Sequence, residues 1–241
     1  MPNTSRRVND FQRENTRIPL WRWQSAIESR CVNIAELRQE YMRAGLSEAQ
    51  ADANPIKQFE RWFEDALKAG VPLPNAMTLA TVTASGAPSA RIVLLKGVED
   101  GAFVFFTNYR SRKGRELDAR PAACLVLLWS DLERQVRIDG SVEKVTAAAS
   151  DAYYATRPLG ARHSAWASPQ SETVADRSSL EKSMEEVKGN YPANPPRPAH
   201  WGGYRVVPSA IEFWQGRADR LHDRIAYARD GKGWKRQRLA P

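Results

Sequence analysis

From Met77 onward the sequence is cut into short apolar runs by tight turn signals, and that spacing limits the fold more than any other feature of the chain. Met77–Thr83 and Ser89–Lys96 flank Ser85-Gly-Ala-Pro88 and read as a hairpin. Glu99-Asp-Gly101 turns the chain into a strand at Phe103–Thr107. Two more strands follow at Ala122–Trp129 and Arg134–Val145. The last four are expected at about 203–207, 210–215, 224–229 and 233–238, the final pair joined through Asp230-Gly-Lys-Gly233. Connections as short as these pair neighbouring strands antiparallel, and such hairpins dominate over the connections that could carry the crossover helices of a parallel sheet. The expected fold class is mainly β with peripheral helices, built as an antiparallel barrel.

Helical patterns are few. Residues 34–45 and 55–69 carry helical spacing, and in the second Ile56, Phe59, Trp62, Phe63 and Leu67 form a stripe expected to face the core. Ser111–Ala119, Thr146–Arg157 and Ser179–Lys188 read as shorter helices. Tyr191-Pro-Ala-Asn-Pro-Pro-Arg-Pro198 reads as a rigid extended connector. Residues 1 to about 33 are polar, without periodicity, and are expected to be a flexible leader. Residues 34–241 are expected to be a single domain, a length that suits one core among 241 residues of which 42% are hydrophobic.

No apolar run reaches the roughly 20 residues a membrane helix needs, and the leader lacks the apolar stretch of a secretory signal. Cys31 and Cys124 stand far apart, in no metal or redox spacing, and read as free thiols of a reducing cytoplasm. His163, His200 and His222 show no metal-ligand spacing, so no metal is expected. The net charge of +8 and pI of about 9.7 raise nucleic acid as a partner. The basic residues are interspersed with acidic ones, however, which suits anionic small molecules instead.

Several basic clusters point to such ligands. In Arg91-Ile-Val-Leu-Leu-Lys96 the two cations are five residues apart and face opposite sides of a regular strand. They therefore need a bulge, or serve different ligands or different parts of one, or are the solvated ends of a buried strand. In Ser111-Arg-Lys-Gly114, Ser111 suits an N-cap, and Arg112 and Lys113 fall in the first helical turn. The helix dipole disfavours cations there unless an anion is present. Gln135 in Glu133-Arg-Gln-Val-Arg137 offers a donor and an acceptor to a heterocycle edge. Tyr153 and Arg157, four apart, share a helix face, which suits either a phosphate or a packed pair. The run Glu212-Phe-Trp-Gln-Gly-Arg-Ala-Asp-Arg-Leu-His-Asp-Arg224 sets Trp214 for a flat ring beside Arg220, His222 and Arg224.

Together these segments resemble the pyridoxamine 5′-phosphate oxidase family. The resemblance runs from about Leu37 to the C-terminus. It rests on Asn75-Ala-Met, Arg91–Lys96, Phe105-Phe-Thr-Asn, Ser111-Arg-Lys, Glu133-Arg-Gln-Val, Arg157-Pro, Ala165-Trp, Gln170-Ser, Trp201-Gly-Gly, Glu212-Phe-Trp-Gln-Gly, Arg220-Leu-His-Asp-Arg and Arg238-Leu-Ala-Pro241, all in order. It implies the FMN-binding split β-barrel and a homodimer with FMN at the interface. By resemblance Arg91, Ile92, Val93, Leu94, Leu95 and Lys96, with Phe106, Thr107, Arg112 and Lys113, hold FMN, and Gln135, Gln170, Ser171, Trp214 and Arg224 complete that site.

The resemblance also implies that Lys96, Tyr153 and Arg157 grip the substrate phosphate. Arg220, Leu221 and His222 address its pyridine ring, and Arg38, Gln39, Glu40 and Tyr41 close over it. Arg220, His222 and Tyr41 are the implied catalytic residues. The implied reaction moves hydride from the C4′ carbon of pyridoxamine 5′-phosphate or pyridoxine 5′-phosphate to flavin N5. Dioxygen reoxidises the flavin and yields hydrogen peroxide, and the amine leaves as ammonia after imine hydrolysis. Two phosphorylated ligands then explain the basic clusters better than nucleic acid does.

Departures from the family pattern are specific. The lid reads Arg38-Gln-Glu-Tyr41 instead of Arg-Arg-Glu-Tyr. Leu73 stands where an acidic residue is usual. Ala161-Arg-His-Ser164 replaces Ser-Gln-Ile-Gly, so a serine that touches substrate phosphate in the family is an alanine here, with Arg162 or His163 as the candidate replacements.

Overall fold

The computed structural model describes residues 45–241. The helix expected at 34–45 and the Arg38–Tyr41 segment lie outside the described residues, apart from Gly45. Helix α1 (Pro55–Lys68) comes first, with the Asn54 side chain accepting the Ile56 N–H and Pro55 in the first turn, where a missing N–H costs nothing. Strands β1 (Ala76–Val82), β2 (Pro88–Leu94), β3 (Gly97–Glu99) and β4 (Ala102–Asn108) lead into helix α2 (Arg112–Ala119). Strands β5 (Ala122–Trp129) and β6 (Arg134–Lys144) are followed by α3 (Ala147–Thr156), α4 (Leu159–Ala167) and α5 (Arg177–Asn190). Strands β7 (Trp201–Gln215), β8 (Asp223–Asp230) and β9 (Gly233–Arg238) close the chain.

The nine strands form one antiparallel sheet in the order β2-β1-β5-β6-β7-β4-β3, with β8 paired to β7 and β9 to β8. The two strands expected at 203–207 and 210–215 are one continuous strand. β7 pairs with β6 along most of its length but changes partner on its other edge. Trp201–Val206 bonds to β4 and Ala210–Gln215 bonds to β8. Pro208, which has no N–H to donate, sits between the two pairings. The register with β6 slips there, between Asp139 and Gly140. A Cβ on Gly140 would lie 2.2 Å from the Val207 carbonyl oxygen, so only glycine permits this close approach.

Cross-strand neighbours fill the interior in rows: Leu79, Leu125, Ile138 and Ile211 occupy matched positions on β1, β5, β6 and β7 and are all buried. Helix α1 closes this core with Phe59, edge-on to Phe103 at 4.9 Å, and Trp62, edge-on to Phe213 at 5.2 Å. Leu67 departs from expectation. It is 56% exposed and lines an open pocket with Phe63, Pro74 and Leu95, and Ala66 takes the buried position one residue earlier. Helix α4, whose sequence has little apolar periodicity, was not expected. It packs through His163, Ala165 and Ala167. Cys124 is a free thiol pushed up to about 12, first by burial and then by the neighbouring Asp139. Among the described residues no helix is long and apolar enough to cross a membrane, and no group of His, Cys, Asp and Glu could hold a metal ion.

This division of α1 is testable by denaturant melts. Phe59→Ala is expected to cost about 3–5 kcal/mol, the range for a large aromatic truncated in a packed core. Leu67→Ala is expected to stay within about 0.5 kcal/mol of the parent.

Candidate active site

The predicted site residues fall into two groups. The first gathers where β2, β4 and the N-terminus of α2 meet. Ser111 caps α2 as expected, its hydroxyl accepting the Gly114 N–H at 3.3 Å. Lys113 folds back from the first turn, only 9% exposed. Its ammonium donates to Thr107 Oγ1 at 3.1 Å, Gln170 Oε1 at 3.1 Å and Ser111 Oγ at 3.3 Å. Three acceptors match the three protons of the charged form. Burial, then Arg91, push Lys113 below the usual lysine range.

The anion that the first-turn cations require is supplied within the chain. Glu116 Oε1 accepts from Arg112 Nε at 2.9 Å, and Oε2 accepts from Arg91 Nη2 at 2.9 Å and from the Thr81 hydroxyl. Burial pushes this carboxyl up, but hydrogen bonds from Thr81, Arg112 and Arg91 outweigh it and hold it below the usual carboxylate range. Glu116 was not singled out in the sequence, although its i,i+4 spacing from Arg112 is the signal that would have found it.

Next to this cluster lies an aromatic stack. Tyr153 is stacked on Phe106 at 3.9 Å between centroids, and Phe106 on Trp201 at 5.7 Å. Lys96 Nζ is 5.9 Å from the Tyr153 ring, and the Arg157 guanidinium lies 4.4 Å from the Trp201 ring. Arg157 does not share a helix face with Tyr153. Helix α3 stops at Thr156, and Arg157 is its extended C-cap, which turns the guanidinium toward Trp201. Its Nη1 is buried without a hydrogen-bond partner among the described residues. Arg157 also lines a cavity of about 200 Å³ with Asn108, Ser164, Gln170 and Trp201. A buried guanidinium nitrogen without an acceptor is costly, and an anion would relieve it.

The β2 residues divide by face. Arg91 points inward to Glu116, Ile92 and Leu94 are exposed, Val93 is half-buried, and the Leu95 side chain belongs to the core, so only its backbone can meet a ligand. The strand ends at Leu94, which frees Lys96 from strict alternation. Ser171 is exposed in a left-handed turn at φ 73° beside Gln170.

The second group lies at the other end of β7. Gln135, Trp214 and Arg224 are matched across β6, β7 and β8 and form one row. The Arg224 Nε donates to Glu212 Oε1 at 2.7 Å and its Nη1 to the Ala240 carbonyl at 2.7 Å. The same carboxylate accepts from Arg137 at 2.9 Å. The His222 ring stands 4.6 Å from Trp214, and its Nδ1 accepts the Arg217 N–H at 3.1 Å. Arg220 and Leu221 are exposed, and Asp219 and Arg220 both hold positive φ. Consecutive left-handed residues of this kind cost on the order of 1–3 kcal/mol each and concentrate at functional sites.

The two groups cannot share one small ligand within a single copy of the chain. Thr107 pairs with Gly202 and Gln135 with Trp214, twelve residues further along β7. At about 3.3 Å per residue the separation along the strand approaches 40 Å, less whatever the strand's curvature removes.

Residues 63–191 match the family model described as pyridoxamine 5′-phosphate oxidase. Residues 201–241 match the model described as the pyridoxine 5′-phosphate oxidase C-terminal dimerisation region. The chain belongs to the pyridoxamine 5′-phosphate oxidase family. It is 59% identical over 210 residues to the pyridoxine/pyridoxamine 5′-phosphate oxidase of Thermosynechococcus vestitus, covering 87% of this chain and 100% of that one. It is 57% identical over 213 residues to the enzyme of the same name from Burkholderia thailandensis, with the same coverage. Among solved structures it is similar to PhzG from Burkholderia lata 383 in complex with tetrahydrophenazine-1-carboxylic acid. There the TM-score is 0.79 at 32% identity, covering 84% of this chain and all of that one. These matches make the chain an oxidoreductase on the family's split barrel.

The departures from the family pattern now have places. Leu73 is exposed at φ 46°, its carbonyl accepting the Ala76 N–H at 2.8 Å in the turn before β1. His163 is buried, with Nε2 on the Tyr191 carbonyl at 2.7 Å, so it does not replace the missing serine. Arg162 is tied through Nη1 to Asn194 at 2.6 Å.

The basic clusters predict an anion effect on stability. At matched ionic strength, about 50 mM inorganic phosphate in place of chloride should raise Tm by about 2–4 °C, the linkage expected for a site of about 10 mM affinity. Lys113→Met combined with Arg157→Ala should abolish the difference in a thermal melt.

Proposed function

We propose that the chain oxidises pyridoxamine 5′-phosphate and pyridoxine 5′-phosphate to pyridoxal 5′-phosphate, with FMN as electron acceptor and dioxygen as the final oxidant. The products are pyridoxal 5′-phosphate and hydrogen peroxide, with ammonia from the amine. The observation that carries this reading is the division of the site residues between the two ends of β7. A homodimer that joins the first group of one copy to the second group of another would complete two equivalent sites, as two-fold symmetry requires. Trp214, Arg220, His222 and Arg224 all fall within the stretch that matches the dimerisation model, which supports the same reading.

The residues present fit FMN. Arg91, Arg112 and Lys113 offer cations to a phosphate, and Thr107 and Gln170 offer polar atoms beside them. Trp214 offers a flat face, with Gln135 and Arg224 in register to address ring edges. FMN, when bound, supplies a two-electron acceptor at its N5 position. The chain's own contribution is orientation and charge. Lys96, Tyr153 and Arg157 fix the substrate phosphate, and the buried Arg157 nitrogen gains the acceptor it lacks. In the neutral His222 ring the proton sits on Nε2, because Nδ1 accepts the Arg217 N–H. Nε2–H is then the donor of the ring, the group suited in kind to a ring substituent. Arg220 positions C4′, and its cation would favour the negative charge that a bound flavin takes up on reduction. Tyr41, Arg38, Gln39 and Glu40, outside the described residues, complete the substrate enclosure on this reading.

Two measurements test it. The protein purified with FMN, kept anaerobic, should lose its flavin absorbance near 450 nm on addition of pyridoxamine 5′-phosphate, and release peroxide when air is admitted. A yellow protein that does not bleach would point instead to a different flavin-dependent oxidation on the same barrel. The shared-site geometry is tested by complementation. Lys113→Met and Trp214→Ala, each inactive alone, should regain about one quarter of the parental activity when unfolded and refolded as an equal mixture. Half of the dimers are then mixed, each with one intact site of two. No recovery would exclude a site shared between copies.

A further inference from the structure

We propose that Glu116 is a positioning residue for the cofactor phosphate, holding Arg91 and Arg112 at the receiving geometry and setting the charge of the cluster to match a phosphate dianion. This rests on the FMN reading above. The Glu116 side chain is 6% exposed, yet it serves two arginines of different exposure, Arg91 at 19% and Arg112 at 59%. A pair with a mostly exposed arginine contributes little to stability. Burying a carboxylate is costly, and an apolar side chain would fill the same space at lower cost. Stability alone therefore explains the arrangement poorly.

The geometry suits a ligand-facing role. Arg112 is anchored end-on through Nε, which leaves both terminal nitrogens of its fork for a ligand's oxygens. Arg91 is fixed from several directions: its Nη1 donates to the Leu79 carbonyl at 3.2 Å, and its Nη2 to Ser89 Oγ at 2.6 Å as well as to Glu116. The helix start that carries Arg112 is itself fixed, since a Cβ on Gly114 would lie 2.0 Å from the Tyr109 carbonyl oxygen. The charges then balance. Arg91, Arg112 and Lys113 contribute three positive charges and Glu116 removes one. The remainder of two matches a phosphate, which carries roughly −1.5 to −2 at neutral pH.

The test compares two flavins with the same ring. Dissociation constants of FMN and of riboflavin, which lacks the phosphate, are measured by flavin fluorescence quenching for the full chain, Glu116→Gln and Glu116→Ala. Glu116→Ala should weaken FMN about tenfold, the scale of one misdirected charge-assisted contact. Riboflavin should change less than about twofold, because its binding draws nothing from the phosphate cluster. Glu116→Gln, which keeps the shape and one acceptor, should fall between, and it carries the same comparison should the alanine variant not fold. Adding Glu116→Ala to Arg112→Ala should cost less than it costs alone, since part of its effect runs through that arginine. Equal weakening of FMN and riboflavin would show a merely structural role and overturn the proposal, as would unchanged FMN affinity. If the parental protein itself bound FMN no better than riboflavin, the phosphate site would fail along with it. A retained FMN preference in the variants sinks only the role of Glu116.

Discussion

The change of partner along β7 is the constraint on which the rest of the structure depends. A fifteen-residue strand bonded to β6 on one edge cannot keep one neighbour along its other edge once Pro208 interrupts the donors. β4 takes the first half and β8 the second. The Gly140 bulge lets β6 follow the bend. From this single device come the closed interior of matched Leu, Ile and Phe side chains, and also two separate rims, each with its own polar cluster. A regular sheet of the same strands would have one continuous face and no such division.

Each rim meets the same electrostatic demand with the same solution. At one, Glu116 lies between Arg91 and Arg112; at the other, Glu212 lies between Arg137 and Arg224. In both cases a nearly buried carboxylate fixes two arginines; Arg112, Arg137 and Arg224 keep part of the guanidinium for other partners, whereas Arg91 gives both terminal nitrogens to Leu79, Thr81, Ser89 and Glu116. Arginine suits this use because its planar fork can be bound along one edge while presenting another. A lysine at any of these positions would be a point charge, satisfied by the carboxylate and turned away from anything else.

The strands were legible because turn residues and period-two alternation are local signals, and the basic clusters were legible because like charges beside apolar runs are conspicuous. What escaped was whatever depended on tertiary placement. The 203–207 and 210–215 runs looked like two strands because Pro208 reads locally as a break, whereas the β6 pairing carries the chain across it. Leu67 matched the helical stripe, but it faces an open pocket and Ala66 takes the buried place. Helix α4 buries a histidine and two alanines, a face with no apolar contrast to detect. At the site, Arg112 and Lys113 were recognisable as cations that need an anion. That Glu116 supplies one to Arg112 was open to the i,i+4 rule; that it also reaches Arg91 on β2 follows from the orientation of α2, which no spacing rule specifies.

A site divided between copies makes cofactor binding and assembly mutually dependent. If two copies must meet to complete a flavin site, then by linkage whatever the flavin gains from the second copy it returns as tighter association of the two. Neither rim is then built to hold a flavin strongly alone. On the proposed reading, the row of Gln135, Trp214 and Arg224 would offer ring contacts without the phosphate cluster, and the Arg91, Arg112 and Lys113 cluster a phosphate site without that row. Satisfying each cluster internally, through Glu116 and Glu212, keeps the separate chain from exposing unpaired buried charge before assembly. The carboxylates thus have two consequences from one geometry: they let the single chain fold with its arginines in place, and they leave the final increment of charge compensation to the ligand.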